Sequence, residues 1–138
     1  MRRMIAAAVV TGLLAGSAAA APKPPASKAE LARLGDEGMV TSAVTTGEKM
    51  HCLSIWNALK AWVPEFGGLD LPSDFTVDLP QRVKAWEKVT RKAYKANGDG
   101  GFSQDLTART AEVREKLDSN DLRWVASYGG SCRKLPKD

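Results

Sequence analysis

"GEKMHCLSIWNALKAW", residues 47–62, decides the fold. Cys52, Ile55, Trp56, Leu59, Trp62 and Val63 recur at intervals of three and four, the spacing that lines one face of an α-helix. Lys49, Asn57 and Lys60 fall outside that stripe. The pattern predicts a strong amphipathic helix from about Glu48 to Val63, with Pro64 ending it. The same stretch places Met50, His51 and Cys52 side by side, which invites reading them as a metal site. Adjacent helical residues point about 100° apart, whereas ligands sharing an ion from one helix sit at i and i+3 or i+4. His51 is the chain's single histidine, so no second imidazole completes such a site. The triplet therefore divides: Cys52 points to the core, His51 lies at the stripe's edge, and Met50 is expected on a polar side with Ser54 and Asn57.

Cys52 needs a partner, and the redox compartment supplies the argument. The chain opens "MRRMIAAAVVTGLLAGSAAAAPKPPA": a basic start, a short apolar run and small residues before Pro22. That is the pattern of a cleaved secretory signal over residues 1–20, too short to span a bilayer. Residues 21–27 follow as a flexible Pro-rich leader, and 28–138 read as one helical domain. Losing Arg2 and Arg3 lowers the formal charge from +4 to about +2, so the basic composition of the full chain overstates the mature protein's charge. The expected location is periplasmic or secreted, where two cysteines pair. Cys132, beyond the flexible "YGGS", is the partner expected for Cys52. Closing so long a loop contributes on the order of 4 kcal/mol on the chain-entropy model.

Outward from the decisive helix, the chain reads as an all-α bundle of four to five helices. Ser27 and Glu30 form a capping-box pattern for a first helix near Lys28, which should weaken at Gly35 to Gly38. Helical patterning then resumes from Met39. Residues 64–79, "PEFGGLDLPSDFTVDL", form a long apolar connection, read as an extended lid over the core with room for a short strand. Asp78 is placed to cap the next helix, with Pro80 in its first turn and Asn97-Gly98 ending it. Ser103 is placed to cap a fourth helix carrying Leu106, Thr110, Val113 and Leu117. Asn120 is placed to start a short last helix whose Leu122, Val125 and Tyr128 face inward.

No catalytic constellation emerges. A histidine triad would have to use His51, and no nucleophile elbow or phosphate-binding glycine fingerprint is present. "NGDGGFSQD" fails the calcium-loop pattern at its fifth, sixth and twelfth positions. The carboxylates Glu65, Asp70, Asp74 and Asp78 read as solvated or capping acids. The expectation is a non-enzymatic protein without cofactor or metal.

Two features suggest a surface for partners. Trp62, Phe66, Phe75 and Trp86 lie on or beside the long loop. Lys84, Lys88, Arg91, Lys92 and Lys95 run along one side of the third strong helix, a face expected to be partly neutralised by Glu112, Glu115, Asp118 and Asp121. The leading reading is an exported interaction or structural module of the cell envelope. Its alternative is a carrier holding a small apolar ligand between the helices and the 64–79 loop. Small charge and export argue against nucleic acid, and no second hydrophobic segment supports stable membrane insertion.

Overall fold

The computed structural model describes residues 24–68, 70–98 and 100–137; the signal predicted over 1–20 lies outside the described residues. Among the described residues the chain is all-helical: α1 (Lys28–Gly38), α2 (Thr46–Phe66), α3 (Leu79–Ala96), α4 (Phe102–Asp118) and α5 (Leu122–Gly129). Single 3-10 turns occupy Ser73–Phe75 and Gly130–Cys132, and no strand forms in the described part of the long loop.

The decisive helix is the central one. α3 and α4 pack extensively on α2, α5 touches it more lightly, and α1 packs on α5. A helix with neighbours on several sides has little polar face left. Met50 and Ser54, expected on such a face, are therefore fully buried beside Cys52, Ile55 and Trp56. The Ser54 hydroxyl is satisfied locally, donating to the Met50 carbonyl at 2.7 Å, and Thr90 does the same to Trp86 at 2.6 Å.

Several helix ends or caps differ in detail from the expected ones, for local reasons. Residues 39–44 are not helical; α2 begins at a capping box in which Thr45 Oγ1 accepts from the Glu48 amide at 3.2 Å and Glu48 accepts from the Thr45 amide at 2.8 Å. Pro64 does not end α2: it lies in the last turn, and the helix runs on to Phe66 and closes at Gly67, whose φ of 85° suits glycine. Asp78 sits at the N-cap of α3 with φ 54° and makes no side-chain cap. Ser103 lies inside α4, which starts after Gly101, and Asp121 rather than Asn120 caps α5 by accepting from the Trp124 amide at 3.3 Å. Ser27 does cap α1, but the Glu30 carboxylate turns away to form a paired contact with Arg123 of α5, at 2.7 and 3.0 Å.

α1 also runs unweakened through its glycines. Gly35 and Gly38 lie against Gly130, the first residue after α5, where backbones nearly touch. A Cβ on Gly130 would stand 2.4 Å from the Gly35 carbonyl oxygen and 2.8 Å from Gly38 Cα. The "G-D-E-G" and "G-G" pairs are thus a helix crossing, not a break.

Immediately beyond that crossing the tail is pinned. Cys52 and Cys132 form a disulfide across a separation of 80 residues, with Cα atoms 5.2 Å apart. The Cys132 carbonyl accepts two indole N–H groups, from Trp56 at 3.1 Å and Trp86 at 3.2 Å. Each of these donors, left orphaned in the core, would cost about 1–3 kcal/mol. Arg133 pairs with Asp36 of α1 at 2.9 Å and with Asp74 of the loop, while its guanidinium lies 5.6 Å from the Phe75 ring. Two consecutive residues therefore hold α1, α2, α3 and the loop together.

Candidate functional site

The long loop fills space instead of enclosing it. Leu71 and Phe75 are buried, and Phe75 stacks on Trp56 with ring centroids 5.9 Å apart. The 3-10 turn at Ser73–Phe75 directs Phe75 inward, whereas Val77 and Phe66 remain exposed. Trp86 is likewise core, its N–H already committed to Cys132. Phe75 and Trp86 thus leave the expected binding surface, because their rings complete the interior between α2, α3 and the tail.

Trp62 and Phe66 remain, and they form a real patch. Their rings stack at 5.3 Å, and Phe66 is 54% exposed. The Arg114 guanidinium lies 5.5 Å from the Phe66 ring, anchored by bonds of 2.9 Å to Glu65 and to Asp118. Those two carboxylates, Glu65 first, stabilise the charged guanidinium and raise its pKa. Trp62, Phe66, Arg114, Leu117, Asp118 and Asn120 bound a shallow groove of about 370 Å³.

The basic residues lie elsewhere. Lys84, Lys88, Lys92 and Lys95 are exposed on α3, and none lines the groove, which α2 and the end of α4 build. Arg91 pairs with Glu87 at 2.8 Å and covers the Phe102 ring at 4.1 Å. Two of the acids expected to neutralise α3 are committed nearer home: Asp118 to Arg114 and Asp121 to Lys116.

His51 is wedged against Trp124 and Tyr128, with centroids at 5.8 and 5.7 Å. Tyr128, expected inward, is 54% exposed and covers this edge of α2. The imidazole Nε2 is buried without a hydrogen-bond partner, and burial, followed by the nearby positive charge of Arg109, lowers its pKa below the ordinary 6.5. Among the described residues, no group of three or more histidine, cysteine, aspartate or glutamate side chains is arranged to hold a metal ion. No described helix is long and apolar enough to cross a membrane.

Sequence reasoning overlooked a second surface, a cleft between residues 39–44 and the C-terminal tail. Val40, Ala43 and Val44 sit at the three- and four-residue spacing that reads as helix, and only the fold brings them opposite Leu135 of the tail. No family model, curated protein or solved structure matches the chain.

Proposed function

We propose that this protein is a non-enzymatic interaction module of the cell envelope, exported and held rigid by its disulfide, whose partner-binding surface centres on Trp62 and Phe66. The observation that carries the reading is the stack of exposed Phe66 on half-buried Trp62, backed by Arg114. Tryptophan and arginine around a shallow apolar groove are the residue types that dominate binding energy at protein interfaces. Arg114 is fixed by two carboxylates, so little side-chain entropy remains to be lost on binding. The carrier reading draws less support, since Phe75 and Leu71 occupy the space a ligand would take beneath the loop. Of the loop acids, Glu65 and Asp74 are engaged by arginines, which favours structural roles for both.

The test is site-specific photo-crosslinking from position 66 in the native envelope. One protein adduct is expected, lost on Trp62→Ala and retained on Lys84→Gln. Absence of any adduct, or native mass spectrometry showing a stoichiometric small apolar ligand on the purified protein, would overturn the reading.

A further inference from the structure

A second face, independent of the Trp62–Phe66 patch, carries an unusual combination of side chains. Val40 is 86% exposed, Val44 72% and Leu135 57%, and all three border one cleft of about 490 Å³. They come from two chain segments, so the cluster is built by the fold and not by a local run of sequence. Lys49, Lys134 and Lys137 line the same cleft, and among the described residues, which leave out Asp138, no carboxylate does. Of the described acids nearby, Asp36 pairs with Arg133 and Glu37 with Arg33, while Glu48 keeps its charge beside Val44, accepting from the Val44 and Thr45 amides without lining the cleft. Three lysines on the cleft against the one uncancelled carboxylate of Glu48 leave this face, among the described residues, positive.

From this geometry we infer that the face bearing Val40, Val44 and Leu135 docks the protein on an anionic lipid surface. The aliphatic tips enter the headgroup boundary, and Lys49, Lys134 and Lys137 meet lipid phosphates. Exposure distinguishes this occupant from an acidic peptide. A peptide lying in the cleft would cover its walls but leave most of Val40 in water, because a side chain so exposed touches little of the protein. A lipid interface surrounds a projecting tip from outside. Docking of this kind is peripheral and needs no spanning helix.

Flotation of the intact, oxidised protein with vesicles tests the inference, comparing phosphatidylcholine alone with phosphatidylcholine plus phosphatidylglycerol. Binding is expected only to the anionic vesicles, weakening with added salt. Val40→Ser combined with Val44→Ser should lower the partition coefficient by at least about tenfold. Lys134→Gln combined with Lys137→Gln should lower it by about fivefold per lysine. These positions are exposed, and unchanged circular dichroism and Tm verify folding. Lys84→Gln with Lys92→Gln on α3 should leave binding unchanged. Failure to float with anionic vesicles, undiminished binding of the serine variant, or loss confined to the α3 variant would each overturn the inference, as would capture of an acidic peptide by the cleft without vesicle binding.

Discussion

A single added methyl group should have opposite effects at two glycines. At Gly130 the backbone angles, φ −57° and ψ −45°, are ones that alanine adopts freely, so conformation raises no objection. Space does: the new Cβ would lie 2.4 Å from the Gly35 carbonyl oxygen and 2.8 Å from Gly38 Cα. These are backbone atoms of α1, and no rotamer change can clear them. The first distance is roughly 1 Å short of a comfortable contact, so α1 must move off the end of α5. Overpacking of this kind costs about 1–3 kcal/mol, more than the helix-propensity gain of at most about 1 kcal/mol from replacing glycine. Gly47 lies in the first turn of α2 with nothing within 4 Å of the equivalent Cβ. There Gly→Ala should stabilise by about 0.5–1 kcal/mol. Urea unfolding followed by tryptophan fluorescence, with the disulfide intact, reads both changes. The expected order is Gly47→Ala above wild type and Gly130→Ala clearly below it. A Gly130→Ala protein as stable as wild type would refute the tight crossing.

Other outcomes follow from the same structure. Phe75→Ala should cost about 3–5 kcal/mol in urea unfolding, as for a buried aromatic, while Phe66→Ala should stay within about 0.5 kcal/mol; equal losses would contradict the division of the loop into core and surface. His51 binds its proton less readily in the fold than in the unfolded chain, whose histidine pKa is the ordinary 6.5. Its contribution is therefore fully present above 6.5 and is lost as pH falls through that value towards the lower folded pKa. The urea midpoint should drop between about pH 7.5 and pH 5.5, and His51→Gln should flatten that slope; a midpoint that rises on acidification would show the sign to be wrong. At lower pH a second loss is expected as Glu30 protonates, because its bond to Arg123 holds its pKa below the ordinary 4.5; Glu30→Gln should remove that step.

Periodicity carried the helices well because it reports burial directly. Leu79, Val83, Trp86 and Val89 of α3 are buried as their spacing demands, and so are Cys52, Ile55 and Leu59 of α2. It failed at Met50, since a local pattern cannot count how many neighbours surround a helix. Gly35 and Gly38 read as a weak point because their role is fulfilled by Gly130, more than 90 positions away. Phe75 read as surface for a similar reason: alternation in a loop does not reveal which residue a 3-10 turn will drive into the core. Trp62 and Phe66 were legible as aromatic residues on or beside the long loop, but not as a stack on one helix, since Pro64 read as the helix end, nor was their Arg114 backing legible. The Val40, Val44 and Leu135 cleft was hidden because it joins segments far apart in sequence.

The central claim is that residues 130–133 are pinned into the core by one covalent bond and a shared carbonyl. Peptide mapping of the purified protein, digested without reductant after alkylation under denaturing conditions, tests it most directly. The account predicts one linked peptide pair containing Cys52 and Cys132 and no alkylated cysteine. Two alkylated thiols, or linkage between separate chains, would contradict it.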